Sequence, residues 1–545
     1  MNDAVLSYEF LERRGDDAVV TCLMLVPVGK DPAVETEIGG DVRTRDLRKV
    51  GVPDENGRQP YSFSFVIDAS EADGVVDIRL KLDGERRVFS VGVGRRFPLD
   101  LVNRASYCRV GGRLFRLSGG RLSFRRVGWF GCLAAEIGFA FGAMLSACGP
   151  VEIVKAPIAV LARWWILLRR KLQRRPLWIV MDRADRAGDN GEAFFRYLNE
   201  RHPEIRSVFA ISAKCRDYRR MAEVGEVYDY DRPSFRLLRS RADVVISSQI
   251  RGMQFCSTSA YYGCFRNLFV KTVFVFLQHG VILHDLSSWL SKYKNRLHGF
   301  VTSAVPEDRS ICSDAYGYDR DEVWGTCLPR FDRLYHAEEN VILLMPTWRH
   351  ELVDEYNPKT ATWDEKGDFS QTAYCDFYNR LIRDERLNVL LKERNYRLLF
   401  CLHPNFRQFA SRFAPTENVI MADDAMEYRD IFARSRMVIT DYSSAVFDFA
   451  YMRKPIVYSQ FDRDTYFQGS LSIQEGYFDY ARDGFGELES TVDGVVDRIR
   501  EYMDRDFAMK PEYAARIKGF FLHEDAHCCE RVYELIIRSE RRMGL

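Results

Sequence analysis

The sequence lacks an excess of charge of either sign, because 79 Lys and Arg residues oppose 78 Asp and Glu residues among 545, for a net charge of +1. A chain without a positive field attracts nucleic acid poorly, so we expect no nucleic-acid partner. The 13 cysteines lack disulfide-like spacing, and no secretory signal opens the chain. We therefore expect reduced, buried cysteines in a cytosolic protein.

The sequence also lacks an uninterrupted hydrophobic run. Residues 129–148 approach the ~20 apolar residues that cross a bilayer, but Glu136 and several glycines interrupt them. A second apolar stretch, 156–168, contains two tryptophans and leads into the basic segment 169–175. Tryptophans with a basic flank are typical of helices that lie in an anionic membrane surface. A buried helical hairpin and a true membrane span are the alternatives.

The chain is too long for one hydrophobic core, and its pattern changes three times. Residues 1–120 show short alternating runs between turn residues, which predict a small antiparallel β-sandwich with an accessory role. Residues 121–175 are helical. Residues 176–340 and 341–545 each alternate apolar strands with helices, the latter ending in a crossing helix. This α/β pattern predicts two Rossmann-like domains that face a cleft.

Polar residues follow the predicted strands of both α/β domains where the strands end. Ligands of such sheets bind at the carboxyl ends of the strands. These positions hold Gln278-His279-Gly280, Thr347-Trp348-Arg349, His403-Pro404 and Asp441-Tyr442-Ser443-Ser444. Two histidines, an arginine and a serine pair in equivalent places indicate an anion-binding cleft.

The segment 436–450 carries the most specific of these patterns. A buried strand at 437–440 is followed by a polar turn and an apolar helix predicted to begin near Ser443. Asp441, Ser443 and Ser444 are residue types that cap helices. The unpaired N–H groups of a helix start bind phosphate, and an ordinary capped turn is the alternative.

Together these motifs resemble the CDP-glycerol glycerophosphotransferases, the teichoic acid primases and polymerases. The resemblance rests on Gln278-His-Gly, Pro-Thr-Trp-Arg at 346–349, Leu-His-Pro at 402–404, Thr-Asp-Tyr-Ser-Ser-Ala-Val-Phe-Asp at 440–448 and Pro-Arg-Phe-Asp at 329–332. It covers the chain from about residue 177 onward. It implies a GT-B fold, with the acceptor mainly on the first domain and the nucleotide donor mainly on the second.

The resemblance also implies a reaction. Glycerol phosphate, or a related polyol phosphate, would pass from a CDP-linked donor to a hydroxyl of a lipid-linked acceptor, with release of CMP. The product would be a teichoic-acid-like or capsular polymer, made at the cytoplasmic face of the cell membrane by a peripheral protein. The polyol and the acceptor stay open, because Val281 and Ile282 replace the Thr-Pro that usually follows the family's His-Gly.

By similarity, His279 is the candidate base that removes the acceptor proton, and His284 competes for that role. His403 would contact the pyrophosphate. Ser443 and Ser444 would hold phosphate oxygens, and Arg349 would neutralise developing charge.

The remaining donor-side candidates are less specific. Asp448 would orient a ribose hydroxyl or the serine pair, unless it is a plain helix-surface carboxylate. Asp441 belongs to the same turn, and Arg531 of the final helix would reach back to the donor.

No paired-aspartate motif stands out, so we expect neither a metal nor a cofactor. The segment from His523 to His527 matches the zinc-binding HExxH pattern, but no third ligand follows it. Two other functions compete with the transferase. One is a GT-B glycosyltransferase that uses a nucleotide sugar, and the other is an inactive membrane-associated scaffold.

Overall fold

The structure is a computed structural model. It describes residues 4–543 except 88, 95–96, 100–102, 148–149, 251–263, 296, 358–361, 424–425 and 467–474.

The N-terminal part is a β-sandwich. Its strands are β1 Val5–Arg14, β2 Asp17–Pro27, β3 Pro32–Ile38, β4 Asp41–Arg45, β5 Arg48–Lys49, β6 Arg58–Ile67, β7 Gly74–Leu82, β8 Glu85–Arg87, β9 Ser90–Val93, β10 Cys108–Val110, β11 Arg113–Ser118 and β12 Arg121–Arg126. One sheet has the order β5-β6-β2-β1-β9, and the other has the order β10-β11-β12-β7-β3-β4 with β8 beside β7. The β1–β9 pair is parallel, unlike the antiparallel β1–β2 pair beside it.

The two sheets bury one shared core. Cys22 and Met24 of β2 alternate inward from the first sheet, and Leu80 and Phe124 face them from the second. Alternation of this kind buries one face of each sheet. The sandwich continues through β12, which lies inside the part of the sequence predicted to be helical.

Two helices follow the sandwich, α1 Trp129–Leu145 and α2 Pro150–Lys171. Glu136, which interrupts the apolar run of α1, accepts two hydrogen bonds from Arg163 of α2, at 2.7 and 2.8 Å. Arg163 also donates to the carbonyl of Cys264 and to the side chain of Asn267, at 2.7 and 2.6 Å. This buried ion pair therefore fixes both helices to the first α/β domain.

The first α/β domain is built on a parallel sheet. Its strands are β13 Leu177–Met181, β14 Arg206–Ile211, β15 Val227–Asp229, β16 Val244–Ser247, β17 Val273–Phe276, β18 Gly299–Val301 and β19 Val323–Trp324. Its helices are α3 Asn190–Arg201, α4 Asp217–Ala222, α5 Pro233–Arg239, α6 Ser287–Leu290 and α7 Val305–Ile311. The strand order β15-β14-β13-β16-β17-β18-β19 reverses direction between β13 and β16.

The second α/β domain repeats this plan. Its strands are β20 Val341–Leu344, β23 Arg397–Phe400, β24 Val419–Met421, β25 Ser435–Thr440, β26 Ile456–Ser459 and β27 Gly486–Glu489, with a separate hairpin of β21 Val353–Asn357 and β22 Thr362–Glu365. The helices are α8 Ala373–Arg383, α9 Glu385–Glu393, α10 Tyr428–Arg434, α11 Val446–Tyr451, α12 Arg463–Tyr466, α13 Tyr480–Asp483, α14 Val492–Asp504, α15 Pro511–Ile517 and α16 Cys528–Met543. The order β24-β23-β20-β25-β26-β27 reverses between β20 and β25.

The two α/β domains are packed together. Phe331 of the first stacks on Tyr451 of the second, with ring centroids 4.3 Å apart. The final helix α16 crosses back to the first domain, where Tyr533 contacts Trp178. Asp332 accepts hydrogen bonds from the first two backbone N–H groups of α16, both at 2.8 Å. The two sheets are thus held in one arrangement, as the GT-B expectation requires.

The structure contains no helix, among its described residues, with the length and apolarity needed to cross a bilayer.

The Glu136–Arg163 pair gives a stability prediction. Arg163→Met leaves a buried carboxylate unpaired and should destabilise the packing of α1 and α2 by about 3–5 kcal/mol. Adding Glu136→Gln should restore most of that loss, because no charge is then buried. Hydrogen exchange of the α1 and α2 amides measures the effect, with the exposed Arg169→Met as the control. Equal protection in Arg163→Met and Arg169→Met would contradict this role of the pair.

Candidate active site

A cleft of about 310 Å³ lies between the two α/β domains. It opens at the carboxyl ends of the strands beside both reversals of strand order, which is where such sheets bind ligands. Asp182 and Arg183 follow β13, and Met345 and Pro346 follow β20. Of the predicted site residues, the cleft brings together His279, His403, Ser443, Ser444 and Asp448.

His279 lies on the first-domain wall of the cleft, directly after β17. The preceding residue, Gln278, has a φ of 63°, which is strained for a residue other than glycine. Its backbone carbonyl accepts from Asn190 Nδ2 at 2.8 Å, and that of His279 accepts from Arg330 Nη1 at 2.9 Å. Two neighbouring side chains therefore hold the backbone that presents the imidazole to the cleft.

The surroundings of His279 favour its neutral form. The side chain of His279 is exposed to the cleft. The protein around it still lowers its pKa below the ordinary value of 6.5, Asp189 opposes this shift, and Arg330 adds to it. The neutral ring has one unprotonated nitrogen that can accept a proton, which is what a general base requires.

His403 lies on the opposite wall, after β23. Its Nδ1 accepts the backbone N–H of Asn405 at 3.2 Å, so the neutral ring carries its proton on Nε2. Burial lowers the pKa of His403 to about 4, with Arg183 and Arg407 adding to the shift. The Trp348 ring stacks beside it, with centroids 5.8 Å apart. His403 is therefore a neutral hydrogen-bond donor near neutral pH.

The serine pair occupies a turn before α11. The helix begins at Val446, three residues after the predicted start, because the carbonyls of Ser443 and Ser444 first accept turn hydrogen bonds. Ser443 Oγ accepts from the backbone N–H of Ala445 at 3.2 Å. A Cβ placed on Gly280 would lie 2.6 Å from Ser444 Oγ, so a side chain there would collide with the serine. The glycine after His279 thus lets the two domains meet at the cleft.

Asp448 is buried in the first turn of α11. Both of its carboxylate oxygens accept from Arg330, each at 2.8 Å. It is therefore an inter-domain ion-pair partner rather than a helix-surface carboxylate.

Arg349 and Asp441 lie behind the cleft wall, outside the described residues that line the cleft. Arg349 is almost completely buried and donates to Asp441 at 2.8 Å and to Asp462 at 2.6 Å. Asp441 also accepts the backbone N–H of Thr347 at 2.8 Å. This network ties the loops after β20 and β25 together and so supports the wall.

Two further candidates also lie outside the described lining of the cleft. Arg531 pairs with Asp525 in the segment before α16. His284 is half-buried five residues beyond His279, and desolvation lowers its pKa to about 4.

The sequence-based prediction missed the arginines of the cleft. Six line it in addition to Arg330, namely Arg183, Arg186, Arg216, Arg220, Arg333 and Arg429. Arg220 and Arg333 donate to Glu192, at 2.6 and 3.4 Å, and the Arg186 guanidinium lies 4.8 Å from the centre of the Tyr428 ring. Arg183 and Arg186 follow β13 directly, so the strand-end rule would have identified them. The cleft is therefore rich in guanidinium groups, and six carboxylates line it beside them, at Asp182, Asp189, Glu192, Asp217, Glu427 and Asp448.

The HExxH segment is not helical. Residues 523–527 precede α16, with His523 Nε2 3.0 Å from the Gly325 carbonyl oxygen and His527 Nδ1 3.0 Å from Glu530. The two histidines therefore do not share a helix face. Across the described parts of the chain, no three His, Cys, Asp or Glu side chains are grouped as metal ligands would be.

Comparison with known proteins gives a family and relatives. The family described as CDP-glycerol:poly(glycerophosphate) glycerophosphotransferase matches residues 164–538. The minor teichoic acid biosynthesis protein GgaB of Bacillus subtilis (strain 168) is 34% identical over 380 residues, which cover 67% of this chain and 40% of GgaB. The teichoic acid poly(glycerol phosphate) polymerase of the same strain is 26% identical over 203 residues, 37% of this chain and 24% of that protein.

The chain thus spans less than half the length of these two relatives. A solved structure of the wall teichoic acid polymerase TagF aligns with a TM-score of 0.52 at 14% identity, covering 74% of this chain and 99% of that one. At this identity the likeness bears on the fold, and it agrees with the two parallel sheets described above. By its match over residues 164–538, the chain belongs to the CDP-glycerol:poly(glycerophosphate) glycerophosphotransferase family.

Proposed function

We propose that the chain transfers glycerol phosphate, or a related polyol phosphate, from a CDP-linked donor to a hydroxyl of a lipid-linked polymer acceptor. The observation that carries this proposal is one arginine-lined cleft with an imidazole that can accept a proton, His279, facing one that can donate, His403. Family membership supplies the donor class, and the polymer would be teichoic-acid-like or capsular.

The reaction needs three tasks that the cleft residues can divide. His279 takes the proton of the acceptor hydroxyl while the hydroxyl oxygen forms a bond to the phosphorus that carries the polyol. The bond from that phosphorus to the bridging oxygen breaks, and CMP leaves with the electron pair. His403 Nε2–H and the hydroxyls of Ser443 and Ser444 donate to phosphate oxygens, and the cleft arginines offset the charge.

Substrate assays test the proposed activity directly. The full chain, presented with vesicles and a lipid-linked acceptor, should release CMP from CDP-glycerol or CDP-ribitol with label entering the lipid fraction. Release of a nucleoside diphosphate from a nucleotide sugar would instead identify a glycosyltransferase. Absence of turnover with every CDP-polyol would contradict the proposal.

Replacing the two histidines should separate their roles. His279→Ala should lower turnover by roughly 10²–10⁴-fold, the contribution typical of a general base, while CDP binding stays nearly intact. His403→Ala should weaken CDP binding as well, because a donor to the pyrophosphate is lost. CMP release and calorimetric titration with CDP measure both effects. Near-normal turnover of His279→Ala would refute its assignment as base.

We further propose that α1 and α2 hold the protein on the cytoplasmic membrane surface as a peripheral protein. The Glu136–Arg163 pair keeps these two charged side chains on the inward faces of the helices. Their outer faces expose large apolar side chains, including Trp129, Phe130, Leu133, Ile137, Phe141, Leu145, Val154, Ile158, Leu161, Trp165 and Leu168. The basic segment 169–175 lies beside this surface, which favours anionic headgroups.

Charge on the apolar surface should release the protein from membranes. Phe130 is 80% and Ile137 58% exposed, so a Phe130→Asp, Ile137→Asp variant should fold normally. It should lose most of its co-sedimentation with vesicles that contain anionic lipid. Val389→Asp, at a site 47% exposed on the second domain, is the matched control and should bind as the unaltered protein does. Equal binding of both variants would contradict the assignment.

A further inference from the structure

Arg330 has more partners at the cleft than the proposed reaction requires. Its guanidinium donates to both oxygens of Asp448 in the second domain, each at 2.8 Å. Its Nη1 also donates to Asp189 Oδ1 and to the backbone carbonyl of His279, both at 2.9 Å, in the first domain. One side chain therefore connects two domains and the backbone of the candidate base.

A second chain of contacts supports the same segment. The backbone N–H of Arg330 donates to Asn190 Oδ1 at 3.0 Å, and Asn190 Nδ2 donates to the Gln278 carbonyl at 2.8 Å. Asn190 is completely buried. Two adjacent side chains thus hold the backbone carbonyls of Gln278 and His279. Gln278 itself has a φ of 63°, a conformation that costs energy to maintain.

We infer that Arg330 is a positioning residue for His279, which orients the imidazole only while the two domains are held together through Asp448. The inference rests on the proposed function and deepens it. Asp189 and Asp448 share the one guanidinium. Separation of the domains would therefore break the bidentate Arg330–Asp448 pair and loosen the backbone of His279 at the same time. Arginine suits this role since its planar fork serves several acceptors at once, which a lysine ammonium does with less geometric control.

The charges around His279 give a readout that a purely structural residue would not move. Three charged groups act on His279 directly, namely Arg183, Asp189 and Arg330. Two more interact with those groups, since Asp182 lies near Asp189 and Asp448 pairs with Arg330. Arg330 lowers the pKa of His279 and Asp189 raises it. Removing Arg330 deletes the first effect, so the pKa of His279 should rise.

Arg330→Met should therefore lower kcat on the order of a hundredfold, the cost of a misplaced reacting group. It should also move the acid limb of the pH profile, the range in which kcat falls as pH falls, to higher pH. The affinity for CDP should be largely kept. Arg330→Lys keeps the charge without the fork, so it should retain the wild-type limb at a reduced kcat. Arg333→Met removes a guanidinium from the same turn without contact to His279. It should lower kcat through the lost cleft charge but leave the pH limb in place.

Three results would overturn the inference: wild-type kcat and limb in Arg330→Met, a lower kcat with an unmoved limb, or equal limb shifts in Arg330→Met and Arg333→Met. If Arg330→Met does not fold, Arg330→Gln and Arg330→Lys provide the same comparison.

A readout besides turnover separates this inference from the proposed function. Diethyl pyrocarbonate modifies unprotonated imidazole, and peptide mass analysis with His279→Ala as reference identifies the His279 signal. The pH midpoint of that modification should rise in Arg330→Met but not in Arg333→Met. If the wild-type protein releases no CMP while Arg330→Met shows this rise, the proposed function alone is refuted, and an unchanged midpoint in Arg330→Met would refute the role of Arg330.

Discussion

Parallel strand pairing is the constraint on which the cleft depends. In each α/β domain the chain returns to the middle of the sheet, at β13 and β16 in the first and at β20 and β25 in the second. Such a return leaves a crevice at the carboxyl ends of the central strands. With the two crevices facing each other, loops far apart in sequence place their polar side chains in one cavity, and Arg330 joins the two sides through Asp189 and Asp448.

The cleft lowers the pKa of both His279 and His403, so both imidazoles are neutral near neutral pH. The N–H of Asn405 fixes the His403 proton on Nε2, where it can be donated, and the neutral His279 ring has a nitrogen that can accept a proton. Seven arginines line the cavity together with six carboxylates, within a chain whose net charge is only +1. The overall composition does not reveal that guanidinium groups gather where an anionic donor would lie.

The central strands and five of the cleft residues are predicted from the sequence. Apolar runs such as 177–181 and 244–247 predict strands with the observed bounds. The edge strands β15, β19, β24 and β27 are not predicted, because they have only two or three residues or, in β27, glutamates at alternate positions. The ion pairs of Arg330 and Arg349 are also hidden, since their partners lie 92 to 141 residues away in sequence. Sequence order identified the loops, and only tertiary packing decides which side chains face the cleft.

The most direct measurement for the central claim is an experimental structure of His279→Ala with CDP-glycerol bound. The account predicts the pyrophosphate between His403 Nε2 and the hydroxyls of Ser443 and Ser444, with the glycerol phosphate directed toward position 279. Nucleotide bound elsewhere, or bound with its pyrophosphate away from His403 and the serine pair, would contradict it.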